Sequence, residues 1–329
     1  MRKVFLSKTA TNMTSEIPEA FPAKLDIQAF AALLGTDRSQ MLNLCGELIE
    51  DYDFHYQFLE GEAFEQTVLE VLKVLDNVKH KAAGRARKED WERGWSENLK
   101  TFQTMDYDLS ALQPKYISKY DRSRLFGRYI QPRDRKFEVN FYTVYRHYLF
   151  KTFLASFETI FEFGCGTGYN LSIMSQLFPE KTIVGLDWAE SSVRIADSLR
   201  TVLKAPISGR LFDYFAPDQT LKIPENSAII TLNSLEQIGR DYYPFLEFLL
   251  VRKPSLCINS EPFLEMYNGN DLLDYLAIRY HNMRNYLSGY YDALRQLERE
   301  GKIEVLKSQR VPFGNLFHEG FSFVVWRII

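Results

Sequence analysis

Directly after a short apolar run, residues 160–170 (IFEFGCGTGYN) place glycine at positions 164, 166 and 168. A backbone bare at every second position serves either a tight turn or the close approach of a ligand. The run before it reads as a strand and the stretch after it as a helix. A βα turn of that kind brings backbone N–H groups toward a ligand at a helix N-terminus. The texture then repeats. Apolar runs TIVGLD, GRLFD, AIITLN and SLCINS are separated by helical stretches such as LSIMSQLF and SSVRIADSLRTVL. That alternation predicts β-α-β units in a parallel sheet. The last two runs, KIEVLKSQRV and FSFVVWRII, predict an antiparallel hairpin, and a long helical stretch over 271–300 precedes them.

The 329 residues suggest about two domains. The division falls between a mostly helical part, 1–155, and the α/β part, 156–329, which carries a helical insert at about 263–300. Residues 1–24 read as a loose leader broken by Pro18 and Pro22. From Asp26 to about Val78 the pattern is helical, with Val68, Leu69, Leu72, Leu75 and Val78 on one stripe. The basic cluster at 79–88 reads more simply as a solvated linker than as a phosphate-binding patch. Residues 91–129 hold several aromatics without a clear period, and PRDRKFEVNFYTVYRHYLFKTFL predicts a helix leading into the glycines.

Net charge is −3, against the basic surface that nucleic-acid binding requires. Cys45, Cys165 and Cys257 are widely spaced and odd in number, as expected of reduced thiols in a cytoplasmic protein. The first residues lack the apolar core of a signal peptide, and no run approaches the ~18–20 apolar residues of a membrane span.

The dinucleotide fingerprint is G-x-G-x-x-G/A. Counted from Gly166, Leu171 stands where its third glycine belongs. Acids mark the neighbouring strand ends instead. Glu162 precedes the glycines, Asp187 ends TIVGLD where ribose hydroxyls can be held, and Phe212 and Asp213 end the third run. The segment NSLEQ, beginning at Asn233, follows the fourth. This set resembles the class I S-adenosylmethionine-dependent methyltransferases, over about residues 159–329. The N-terminal half, with WERGW and PKYI, faintly resembles bacterial sugar O-methyltransferases. The resemblance implies a Rossmann-like seven-stranded sheet with an antiparallel last strand, and S-adenosyl-L-methionine as cofactor. It implies that Glu162, Gly164, Cys165, Gly166 and Gly168 surround the methionine part, Asp187 and Trp188 the ribose, and Phe212 and Asp213 the adenine, with Asn233 nearby. Gln237 stands where quinone-type O-methyltransferases of this family have a histidine, so a base role does not carry over to it.

Methyl transfer from a sulfonium is an in-line displacement, in which positioning supplies much of the rate. A sugar hydroxyl as nucleophile gains from a general base. Sheet topology puts Glu236, Glu261 and His318 at the carboxyl ends of the strands, where ligands bind. His318, with an ordinary pKa of ~6.5, suits a base near neutral pH. Each also has a plain alternative: Glu236 as a backbone acceptor, Glu261 as a cap after Pro262, His318 as a packed loop residue. No metal-ligand spacing stands out. Tyr275, Tyr286 and Tyr290 are spaced to share a face, which suits core, the interface of a homo-oligomer, or the wall of a pocket. The expected reaction is methylation of a small-molecule acceptor, with a sugar hydroxyl leading and amine or carboxylate methylation open. A non-catalytic binding protein on the same fold is the alternative from another class.

Overall fold

The computed structural model describes residues 21–77 and 81–329. The proposed leader, Val78 and the first two residues of the basic cluster therefore lie wholly or largely outside the described residues.

Seven strands form the main sheet: β1 (Thr159–Phe163), β2 (Thr182–Asp187), β3 (Ile207–Leu211), β4 (Ser227–Leu232), β5 (Leu256–Ser260), β6 (Ile303–Gln309) and β7 (Phe323–Ile328). Their order is β3-β2-β1-β4-β5-β7-β6. All pairs from β3 to β5 are parallel, and β7 is antiparallel to both β5 and β6. This is the expected α/β architecture with a reversed last strand. The central strands β4 and β5 are buried along their whole length, which explains their unbroken apolar runs.

The chain turns from β1 into the helix Tyr169–Leu177 through the glycines. Gly164 N–H and Cys165 N–H both donate to the Leu186 carbonyl, at 2.7 and 3.0 Å. A Cβ on Gly164 would stand 2.2 Å from Ser234 Cβ, and its φ of +73° disfavours any L side chain. Leu171, in place of a third glycine, finds its room elsewhere: its Cδ1 lies 2.6 Å from where a Cβ on Gly185 would be. The glycine that permits close packing sits on β2 rather than on the helix.

N-terminal to the main sheet the helices are Ile27–Leu33, Arg38–Asp51, Gly61–Leu75, Lys88–Thr104 and Phe137–Phe153. The helical pattern expected over 26–78 is interrupted by a strand, His55–Phe58. On Gly61–Leu75 the buried residues are Thr67, Val71 and Leu75, while Leu69 of the expected stripe is 42% exposed. The basic cluster is engaged locally. Lys81, Arg87 and Arg93 converge on Asp90, and Arg85 lies over the Phe215 ring.

A second, five-stranded sheet runs Ala23–Lys24, His55–Phe58, Arg128–Pro132, Ser123–Leu125, Phe313–Gly314. Its last strand belongs to the loop between β6 and β7, and pairs Phe313 with Leu125 and Gly314 with Arg124. The halves share one apolar core as well. Phe137 and Phe141 pack with Phe313, Phe321 and Phe323, and the Phe141 and Phe313 rings stack at 3.7 Å.

The insert is two helices, Leu272–Arg284 and Tyr290–Arg299. The shared tyrosine face expected there does not form, because the break at 285–289 reorients the chain. Tyr275 is 50% exposed, and Tyr290 is buried with its hydroxyl donating to Asn259 Oδ1 at 3.0 Å. Among the described residues no helix is long and apolar enough to cross a membrane.

Candidate active site

Two adjoining hollows open at the carboxyl ends of the strands. The first is a narrow cleft of about 60 Å³ lined by Gly164, Asp187, Trp188, Phe212, Asn233 and two tryptophans from the helix Lys88–Thr104, Trp91 and Trp95. The second is a cavity of about 310 Å³. Both are bordered by Gly164, Asn233, Gln237, Trp91 and Trp95.

In the cleft, Asp187 ties the glycine turn to the next helix. Its Oδ2 accepts from Gly166 N–H at 2.9 Å and its Oδ1 from Ala189 N–H at 3.0 Å. Burial pushes its carboxyl up to about 6, against the pull of those amides. Trp188 stacks on Phe215 at 6.0 Å. Asp213 accepts from Phe215 N–H at 2.9 Å and is not among the lining residues. Glu162, fully buried, accepts from Asn170 Nδ2 at 2.6 Å while its Oε2 has no partner. Burial raises that carboxyl to about 8. Cys165 and Gly166 face the larger cavity. Asn233, at φ +49°, leaves its Oδ1 buried and unpartnered beside both hollows.

The tryptophans come from outside the glycine and acid motifs. Trp91 and Trp95 stack at 5.1 Å, one helical turn apart. A Cβ on Gly166 would stand 3.2 Å from the Trp95 ring. Between them, Glu92 accepts from the Ser191 hydroxyl and backbone N–H at the start of the helix Glu190–Leu203, fastening the tryptophan helix over the cleft.

Of the three candidate bases, Glu236 and His318 line the larger cavity and Glu261 does not. Glu261 is fully buried and accepts from Ser234, Leu235 and Glu236 N–H at 3.1–3.2 Å. It caps the turn after β4, reaching across from the end of β5, rather than the helix after Pro262. Burial and the nearby Glu236 carboxylate lift it to about 8. Glu236 accepts from Gln237 Nε2 at 2.6 Å, and its Oε2 is buried without a partner. Burial raises it to about 7, with Arg284 opposing.

His318 stands 3.2 Å from His281, Nδ1 to Nε2. Burial, then His281, Arg124 and Arg284, depress it well below its ordinary value. The imidazole expected to titrate near neutral pH is thus held neutral. It has a free acceptor toward the cavity only if its own Nδ1–H donates to His281. Its loop is fixed from behind: Arg310 grips both Glu319 oxygens at 2.7 and 2.8 Å, and Arg124 donates to the Phe317 carbonyl at 3.1 Å.

The cavity's other charged walls had no motif to announce them. Glu138 and Arg146 come from the helix Phe137–Phe153 and Arg284 ends the insert helix Leu272–Arg284. Only the topology of the folded chain brings them to Glu236. Among the described residues no group of three or more His, Cys, Asp or Glu is arranged to hold a metal ion.

No protein-family model matches the chain. It is 32% identical over 88 residues to malonyl-[acyl-carrier protein] O-methyltransferases of Bacillus cereus and Bacillus anthracis. The alignment covers 26% of this chain and spans about a third (33%) of the length of those relatives. Among solved structures, magnesium protoporphyrin IX methyltransferase (ChlM) from Synechocystis PCC 6803 with bound SAM is similar over 55% of this chain and 74% of that one, at 12% identity and TM-score 0.38. The N-terminal domain of EvdMO1, in the presence of SAH and D-fucose, is similar over 56% and 82%, at 18% identity and TM-score 0.38. The [4+2]-cyclase SpnF is similar over 58% and 82%, at 12% identity and TM-score 0.44.

Proposed function

We propose, from the premise that the chain has the fold of the class I S-adenosylmethionine-dependent methyltransferases, that it methylates a hydroxyl of a small molecule held in the larger cavity. The observation that carries this is the joining of the two hollows. A glycine turn backed by a buried acid lies on one side of Gly164 and Asn233, and a cavity with an unpartnered carboxylate oxygen lies on the other.

The residues of the cleft fit an adenosyl cofactor. Gly164 leaves no side chain between the turn and the cleft, and Gly166 leaves none between the turn and the larger cavity. Asp187 retains lone pairs for ribose hydroxyls, and the Asn233 amide oxygen awaits a donor. S-adenosylmethionine, when bound, supplies a methyl group already activated on sulfur. The chain's own task is then to orient the acceptor, exclude water and remove one proton. Glu236 is the group placed for that proton: its free Oε2 is at the cavity and its carboxyl is poised near 7. Neutral His318 accepts or donates a hydrogen bond to the acceptor, and Glu261 positions Glu236 through its backbone. The O-methyltransferase names of the curated relatives support oxygen as the methylated atom. The unpartnered oxygens of Glu236 and Gln237 suit a polyhydroxylated acceptor such as a sugar.

Calorimetry with S-adenosylmethionine and S-adenosylhomocysteine tests the cofactor. Both should bind at micromolar levels. Asp187→Ala should raise the dissociation constants by roughly 10- to 150-fold, as expected when a charged hydrogen-bond partner is lost. Unchanged affinity in that variant removes the ribose role; binding of a nicotinamide dinucleotide instead removes the reading.

A further inference from the structure

The larger cavity is lined by six charged side chains, Arg87, Lys119, Arg146, Arg284, Glu138 and Glu236, so cations outnumber anions by four to two. Arg87 is answered by Asp90 at 3.0 Å. Arg146 is 2% exposed, and its Nε donates to Asn170 Oδ1 at 2.6 Å, which ties it to the glycine turn. Arg87 Nη1 and Arg284 Nε are both buried with no hydrogen-bond partner, but Arg284, unlike Arg87, also joins none of the ion pairs among the described residues. It packs beside the Tyr280 and Tyr286 rings, 6.0 and 5.2 Å from their centroids. A half-buried guanidinium beside two rings, with an orphaned donor, is costly until an anion reaches it.

The orphaned groups are also sorted by position. Two free acceptors, Asn233 Oδ1 and Gln237 Oε1, belong to residues that border both hollows. Arg284, like Glu236, borders the larger cavity alone. A ligand that satisfies both presents hydroxyl donors toward the cleft and negative charge away from it. Building on the methyltransferase reading, we propose that the acceptor is an acidic polyol, hydroxylated at the end to be methylated and carrying a carboxylate or phosphate that Arg284 holds. Arginine suits either anion because its fork donates two parallel hydrogen bonds.

The test uses the full chain saturated with S-adenosylhomocysteine, titrated calorimetrically with glucuronate, glucose 6-phosphate and glucose. At least one acid should bind about tenfold or more tightly than glucose, the margin a charge-assisted hydrogen bond provides. Which acid does so tells carboxylate from phosphate. Arg284→Gln should erase that preference and Arg284→Lys should retain part of it. Affinity for S-adenosylhomocysteine should stay at the wild-type value in both variants, since Arg284 does not border the cleft, and the melting temperature should stay there in Arg284→Lys, which keeps the charge beside the tyrosine rings. Glucose binding as tightly as both acids, neither acid binding, or a preference that survives in Arg284→Gln overturns the proposal. Failure to bind S-adenosylhomocysteine at all is a separate result: it removes the parent reading and this one with it.

Discussion

Glu236 and His318 differ less in position than in surroundings. Both reach the cavity, yet one is a carboxyl raised to about 7 and the other an imidazole pushed well below its usual range. A base must be deprotonated to act and must tolerate the proton it takes. Protonation neutralises Glu236, whereas on His318 it would place a third cation beside Arg124 and Arg284. Glu236→Gln should therefore lower kcat by ~10²–10⁴-fold, while His318→Gln, which keeps a hydrogen bond, should cost much less. The wild-type pH–rate profile should rise through about 7 as Glu236 loses its proton, and flatten in Glu236→Gln. A profile unchanged in that variant moves the base elsewhere. Strand order alone puts Glu236 and His318 at the carboxyl ends of the strands, and both line the larger cavity. It could not separate them. The difference depends on Arg124, His281 and Arg284, which lie 194, 37 and 34 residues from His318 in the chain and meet it only in the folded state.

The glycine turn is the element the sequence displayed most fully. Its three glycines, the strand before it and the acid on the next strand were all legible, since each local conformation demands its residue type. Gly164→Ala tests how strictly. The new Cβ would overlap Ser234 and sit at φ +73°, so stability should fall by at least ~1–2 kcal/mol. Thermal unfolding would show it, and cofactor affinity should fall with it. An alanine variant that melts and binds like wild type means the turn has another way to relax. The helix above the turn was not legible. Trp91 and Trp95 sit in a stretch without a clear apolar period, because that helix buries Asn98, Leu99 and Phe102 on one side and offers its indoles to a cleft on the other. A cleft of about 60 Å³ is far below the ~300–1,000 Å³ of typical ligand sites. We expect cofactor entry to displace the stacked pair, so intrinsic tryptophan fluorescence should change on adding S-adenosylhomocysteine. Trp95→Phe should reduce that change; an unchanged signal would mean the cofactor bypasses the pair.

At the scale of the molecule, the N-terminal part is built into the site rather than appended to it. It supplies Trp91, Trp95, Glu138 and Arg146 to the hollows and half of the shared core. We expect a chain beginning at Lys151 to expose that core, to aggregate or to lose acceptor methylation. Size-exclusion chromatography of a monomeric, fully active product would refute this. The change in periodicity near residue 155 marks where the main sheet begins, but the crossing of Phe313–Gly314 into the N-terminal sheet was not readable, since two residues carry no pattern. That crossing has a consequence during synthesis. Ribosomes deliver a chain from its N-terminus, and domains ordinarily fold in that order. Here Leu125 must wait for Phe313, so the first sheet leaves the exit tunnel with an edge strand unpaired until almost two hundred more residues have been translated. Throughout that interval Ser123–Leu125 offers free N–H and C=O groups to any other extended segment. We expect the nascent N-terminal half to gain from a chaperone's cover over that interval.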